Sequence, residues 1–201
     1  VLETVKLAEL AKKNVLLATE AFLTGDLTHE DEITKNEERI NEVTEIITNF
    51  LVELSATEIN IEEFRRIGNT YHVINDIERV GDHAENILEL AIEKKKKEAD
   101  LTPEGAEELR TIFAETENAM NIAIGCYKEN DKSFAMKIEA VERKIDALQK
   151  EFRQSHIRRL QQGRFKALSS ILFLDVISNL ERVGDHAKNM ADVVSGIPER
   201  D

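Results

Sequence analysis

Glu78-Arg79-Val80-Gly81-Asp82-His83-Ala84 recurs unchanged as Glu181-Arg182-Val183-Gly184-Asp185-His186-Ala187, 103 positions later. Composition alone does not produce seven identical residues at one offset, and the likeness spreads outward. His72-Val73-Ile74-Asn75-Asp76-Ile77 leads into the first copy and Asp175-Val176-Ile177-Ser178-Asn179-Leu180 into the second, while Asn86 and Asn189 follow at equal distance. A period of roughly 100 residues is too long for a solenoid unit and suits a duplicated half-domain. What both halves retain is what the fold or a site requires.

Helical periodicity surrounds both copies, punctuated by a few turn signals. Thr24-Gly25-Asp26 closes a first helix over about 3–23, and Thr28 is placed to cap a second that runs to about Leu54. Asn60 with Glu63 has the spacing of a capping box and opens a third helix to about Lys97. Thr102-Pro103-Glu104 supplies a cap, a proline at the first helical position and an acid in the first turn. That fourth helix ends near Asn130-Asp131. A fifth covers about 132–162 with Gly163 as its stop, and a sixth runs to about Val194 before Gly196 and Pro198. These signals predict an all-α fold of six long helices, arranged as two tandem, duplicated three-helix bundles over residues 1–100 and 101–201. Asp26 aligns with Asp131, Glu37 with Glu142 and Ile40 with Ile145 at an offset of 105, so the turn near 56–60 is two residues longer than that near 161–163. Turns are where a helical hairpin tolerates such a change.

The third helix of each half carries a stripe at spacings of three and four. It runs through Ile67, Tyr71, Ile74, Ile77, Gly81, Ala84, Leu88 and Ala91, then through Leu174, Ile177, Leu180, Gly184, Ala187, Ala191 and Val194. A glycine inside a helix costs about 1 kcal/mol against alanine, so Gly81 and Gly184 point to helices that approach closely. With 100° per residue and Ile77 at zero, the stripe centres near about 10°, Glu78 falls near about 100°, Asp82 near about 140° and His83 near about 240°. Glu78 and Asp82 therefore share one flank one turn apart, and His83 lies on the other side. Glu181, Asp185 and His186 repeat the pattern.

The preceding helices carry matching groups, Glu142 with Asp146 and Glu37 with Asn41. If the second and third helices of a half pack antiparallel, the spacing brings these pairs level across the seam. Oxygen ligands on rigid helices suit iron, manganese, magnesium or calcium. Without a cation the carboxylates repel, and some take up a proton. The second half is the stronger candidate because Asn41 brings a neutral amide where Asp146 brings a charge. The alternative is a solvated acidic face. A ferritin-like di-iron enzyme requires Glu-x-x-His on facing helices. Here the histidine follows Asp directly, so His83 and His186 are expected to pack against a helix or bond a carboxylate.

Forty acidic against 27 basic residues give a formal charge of −13. That speaks against nucleic-acid binding, which needs a positive face. Lone Cys126 excludes an internal disulfide, suits a reducing compartment and reads as a buried apolar residue. No apolar run exceeds Ile171–Leu174, and none is long enough to span a membrane. No signal-like segment opens the chain, and a first residue of Val, not Met, suggests a piece of something longer. There is no phosphate loop, nucleophile-base pattern or cysteine cluster. Lys94–Lys97 reads as a solvated helix end opposing the dipole. The stretch His156 to Lys166, with Arg158, Arg159 and Arg164, reads as a charged turn or a face for a membrane or partner.

Asn75-Asp76-Ile77-Glu78-Arg79-Val80-Gly81-Asp82-His83-Ala84-Glu85-Asn86-Ile87 and its second copy resemble the signature of PhoU-type phosphate-regulation proteins, over essentially the whole chain. His156-Ile157-Arg158-Arg159-Leu160-Gln161-Gln162-Gly163 and the histidine after each Gly-Asp are most similar to the cytoplasmic PhoU-like domain at the C-terminal end of sodium/phosphate cotransporters. The resemblance implies a non-enzymatic, cytoplasmic regulator of phosphate transport that contacts a transporter or its membrane domain and signalling proteins. A homodimer, or a tether to the transporter, is compatible with it. Membrane contact would be indirect or through the basic turn. The resemblance also implies metal clusters, often iron, held by Glu142, Asp146, Glu181 and Asp185 in the second half and by Glu37, Glu78 and Asp82 in the first, where Asn41 departs from the pattern. The competing readings are a metal-free helical interaction module and, behind it, a carboxylate-metal enzyme.

Overall fold

The structure, a computed structural model, describes residues 2–129, 133–163 and 167–195. Six α-helices follow in order: α1 (Leu2–Thr24), α2 (Glu30–Ser55), α3 (Ile61–Lys96), α4 (Pro103–Glu129), α5 (Phe134–Gln161) and α6 (Ala167–Ser195). Asp131, Arg164, Lys166, Gly196 and Pro198 lie outside the described residues.

Local chemistry sets most of the helix ends. The Asn60 side chain accepts from Glu63 N at 2.9 Å, and Glu63 Oε2 accepts from Asn60 N at 3.0 Å, so the capping box forms. Thr102 Oγ1 accepts from Gly105 N at 3.2 Å at the start of α4. Thr28 does not cap α2. Its hydroxyl and backbone N–H both donate to Asp26, which lowers the Asp26 carboxyl pKa, and His29 stands at the N-cap without a side-chain cap bond. Gly25 and Gly163 take left-handed conformations, φ 75° and 69°, which an L side chain rarely adopts, and so end α1 and α5.

Each half is a three-helix unit in which the second and third helices run antiparallel. Glu37 meets Gly81, Ile145 meets Gly184, and further along the second seam Arg153 reaches Ser178 Oγ at 3.5 Å. The two halves join through α3 and α6, with α1 against α4 beside them, and their apolar faces merge into one continuous core. Ile77, Val80, Ala84 and Ile87 of α3 and Ile177, Leu180, Val183 and Ala187 of α6 are fully buried. Cys126 is buried in the same core, as an apolar residue would be. The expected stripe on α3 fails at its start, where Tyr71 is 40% exposed. The N-terminal turns of α3 and the end of α2 leave Phe50, Val52, Ile61 and Phe64 exposed.

The paired sequence repeats become a quasi-twofold contact between α3 and α6. His186 Nδ1 lies 2.8 Å from Asp76 Oδ1, and His83 Nδ1 lies 2.9 Å from Asn179 Oδ1, the residue equivalent to Asp76. Asn189 and Asn86 repeat the symmetry, donating to the same two oxygens at 3.3 and 3.5 Å. The two imidazoles face each other at 5.5 Å between centroids. The histidines thus serve the junction between repeats. Burial pushes the His83 pKa down, against the Asn179 bond.

This symmetry contains its own control for a mutation. Asp76→Asn copies what the second repeat already has and is expected to change stability by less than about 1 kcal/mol. Asp76→Ala leaves the His186 and Asn189 donors without their acceptor and is expected to cost about 1–3 kcal/mol. Chemical denaturation of both variants measures the difference, and equal losses would show that the bond contributes nothing specific.

Candidate metal centre

The two acidic seams follow from the hairpin geometry. Antiparallel packing with a short turn sets residues equidistant from that turn opposite one another, so the i, i+4 acids of α5 face those of α6. One carboxylate oxygen each from Glu142, Asp146 and Asp185 lies within 4.8 Å of the others, close enough to share one cation. Glu181 stands one turn away. Burial and then Asp185 and Asp146 push its pKa up. Burial and then Asp146 also raise the pKa of Glu142 and of Asp185. Protein cations partly offset this charge, since Lys150 Nζ lies 3.1 Å from Asp146 Oδ2. Alongside opens a cleft of about 440 Å³ where Arg143, Arg182 and Lys188 border Glu142 and Asp185.

The first seam is built differently. Glu37 is 4% exposed, and its carboxylate occupies the notch over Gly81, where an added Cβ would collide with Oε2 and come within 3.1 Å of Cδ. Neither oxygen finds a hydrogen-bond partner of normal geometry, although the nearby Asn41 amide lowers the pKa slightly. Burial, then Asp82, Glu85 and Glu78, push Glu37 up to about 7. Burial and then Asp82 raise Glu78 too. Asp82 is held by Arg79 at 3.2 Å.

The glycines therefore do the same work with different partners. Over Gly184 the gap is filled by Ile145, whose Cδ1 would lie 2.9 Å from an added Cβ. Over Gly81 it is filled by Glu37, the equivalent of Glu142, in place of Ile40, the equivalent of Ile145. Both notches were legible as close packing; the identity of the occupant was not.

All seven expected residues therefore lie on the two seams. Glu142, Asp146 and Asp185 converge, Glu181 flanks them, and Glu37 turns inward beside Glu78 and Asp82. The donor set of the second seam fits a hard cation, whereas among the described residues the first-seam acids Glu37, Glu78 and Asp82 do not converge to the same distance. The buried Glu37 carboxylate, with no hydrogen-bond partner of normal geometry and three further acids around it, is the clearest sign that one seam is electrostatically incomplete. Glu85 and the basic border of the cleft were missed by the sequence reading. Glu85 stands seven residues after Glu78 on the same flank, a signal that could have found it.

Two basic features are corrected by the structure. His156 is fully buried, stacked on Phe173 at 4.4 Å, and Arg159 forms a two-pronged bridge with Glu108. Both belong to packing between helices, and among the described residues there Arg153 and Arg158 are exposed cations. Lys94 is likewise only 7% exposed and lies over the Phe22 ring, 5.7 Å from its centroid, so the solvated helix end begins at Lys95.

Six helices in two equivalent halves, with an acid-lined seam in each, define a class of duplicated three-helix-bundle proteins. The PhoU domain model matches residues 4–91 and again 109–194, and the chain belongs to that family. It is 25% identical over 190 residues to the phosphate-specific transport system accessory protein PhoU homolog 1 of Thermotoga maritima, covering 94% of this chain and 81% of that protein. It is 20% identical over 201 residues to the putative inorganic phosphate export protein YjbB of Escherichia coli, covering 99% of this chain but 37% of that protein. The crystal structure of PhoU from Pseudomonas aeruginosa superposes with a TM-score of 0.87 at 22% identity, covering 95% of this chain and 91% of that one. Family membership places the chain among regulatory accessory proteins, which are not enzymes. No described helix is long and apolar enough to cross a membrane.

Proposed function

We propose that this chain is a regulatory accessory protein of phosphate transport whose hairpin seams hold cations. It acts in the cytoplasm by contact with a phosphate transporter, or its membrane domain, and with signalling proteins. Attachment to a transporter is supported by the likeness of nearly the whole chain to 37% of a putative phosphate exporter. The observation that carries the metal reading is the convergence of Glu142, Asp146 and Asp185 oxygens within 4.8 Å. Iron, manganese or magnesium would suit these oxygens, and a bound cation would return the raised carboxyls to their ionised forms.

A second reading has its own support. Arg79 on Asp82 and Lys150 on Asp146 already supply positive charge at both seams, as a metal-free interaction module would need.

Metal analysis of protein purified without chelator, followed by titration of ferrous, manganous and magnesium ions, separates the two. Asp185→Ala is expected to weaken binding at the second seam by roughly 10–100-fold, the range seen even for groups that only support ligands. Absence of binding by any of the three ions would remove the metal mechanism and leave the interaction module.

A further inference from the structure

The two seams share an ancestry but not a charge. Arg143, Lys150 and Lys188 of the second half stand at the positions that Glu38, Glu45 and Glu85 hold in the first. Along the cleft of about 440 Å³ three cations, Arg143, Arg182 and Lys188, meet three acids, Glu139, Glu142 and Asp185. At the equivalent positions of the first half one cation, Arg79, meets four acids, Glu37, Glu38, Asp82 and Glu85. Both hairpins fold alike, so the added cations are not something the fold requires.

A bound cation would leave the two seams with opposite signs. The second cleft is neutral by itself, and Asp146 is balanced by Lys150 at 3.1 Å. A divalent ion on Glu142, Asp146 and Asp185 therefore gives it a surplus of two positive charges, whereas the first seam stays acidic with the same ion. A cleft of one sign concentrates the opposite ion from solution. Three carboxylate oxygens also leave open positions on a six-coordinate ion, and magnesium commonly fills such positions with phosphate oxygens.

The side chains along the cleft suit such an anion. The Arg143 and Arg182 side chains are 71% and 66% exposed. Arg143 rests on Glu139 at 2.5 Å, one helical turn away, and Arg182 lies 3.9 Å from Glu181. Exposed pairs of this kind are weak, and a guanidinium fork binds phosphate oxygens two at a time. Lys188, held by Asp192 at 2.5 Å, adds charge to the wall without moving. Glu139 supplies selectivity. Its carboxylate accepts from the P–OH of hydrogen phosphate and repels an oxyanion that carries no proton, such as sulfate.

Resting on the reading that the second seam holds a cation, we propose that this cleft binds inorganic phosphate as hydrogen phosphate. One oxygen joins the cation, Arg143 and Arg182 take others, and the P–OH donates to Glu139. The first seam, acidic at the same positions, takes no anion.

Equilibrium dialysis of radiolabelled phosphate against the full chain tests it, with and without manganous ion and with bound manganese measured in the same samples. Phosphate is expected to be retained only where manganese is. Arg143→Glu with Lys188→Glu, which installs what the first half carries, should weaken phosphate binding about 10–100-fold. Manganese should stay bound in that variant and helicity should not change. Glu139→Gln should narrow the preference for phosphate over sulfate, because the amide also donates to sulfate. Absence of bound manganese would overturn the cation reading and this proposal together. Bound manganese without phosphate would overturn the proposal alone. So would sulfate competing as well as phosphate does, or retention indifferent to the charge reversal. Glycerol 3-phosphate binding more tightly than phosphate would assign the cleft to an ester and overturn the free ion as its ligand.

Discussion

Replacing Glu37 by Gln is expected to stabilise the metal-free protein at alkaline pH by about 3 kcal/mol. The folded protein holds this carboxyl at about 7, against an ordinary value of 4.5, and each unit of difference is worth about 1.4 kcal/mol. Because the folded value is the higher one, the protonated acid is the form the fold accommodates. Its contribution is complete below pH 4.5 and is lost as pH rises through about 7, where ionisation buries a charge over Gly81. Glutamine has nearly the shape of the protonated acid and no charge to bury, so the variant should lack this decline. For a chain of this size the gain corresponds to roughly 5–10 °C in melting temperature. Thermal melts in chelator from pH 4 to pH 9 make the comparison, and parallel curves for both proteins would sink the idea. Gly81→Ala offers a check by another route. Its methyl group displaces the Glu37 carboxylate, which sits at the end of a flexible chain, and the decline with pH should shrink as the acid regains water. A cation that binds this seam should reverse the comparison, because it favours the ionised acid that only the natural protein has.

Phe173→Ala is expected to cost about 3–5 kcal/mol, the range for removing a large buried aromatic side chain. Phe173 is fully buried, lies face to face with His156 at 14° between planes, and would contact a side chain at Gly105. It thus sits among α4, α5 and α6, and three helices cannot close over the gap without losing register elsewhere. The loss should appear as a lower urea midpoint at unchanged slope. Burial and the neighbouring Arg159 hold the His156 pKa down, against Glu108. Water admitted to the cavity should therefore raise it, as proton NMR of the ring would read. Phe173→Leu fills most of the space and should lose well under half as much. A Phe173→Ala variant melting within a degree or two of the natural protein would show that the half has another anchor.

Much of this architecture was readable because it depends on short-range chemistry. The capping box at Asn60 and Glu63 and the start at Thr102-Pro103 each involve residues three or four apart. The stripe through Ile77, Gly81 and Ala84 needs only the 100° turn of the helix. The acidic flank of Glu78 and Asp82 came from the same turn, and its opposition to the preceding helix from equal distances to the hairpin turn. Tyr71 was misplaced because periodicity reports which side of a helix is apolar, not whether another helix reaches that far. His156 was misread because its charged neighbours in sequence, Arg158 and Arg159, suggested a solvated turn. Phe152, four residues before it and 8% exposed, shared the buried face and was the better guide.

The sequence by itself determined six helices, their duplication, the glycine notches and the faces on which the acids lie, since each follows from residues within a few turns of one another. Tertiary structure decided what fills each notch and where the histidines go. Identical heptads around Gly81 and Gly184 receive a carboxylate in one half and an isoleucine in the other, because the occupant comes from a different helix. His83 and His186 find Asn179 and Asp76 only when α3 and α6 cross between repeats. Side-chain chemistry is written in the chain, but desolvation and charge coupling depend on contacts between residues some forty to a hundred positions apart, and only the packed fold sets those.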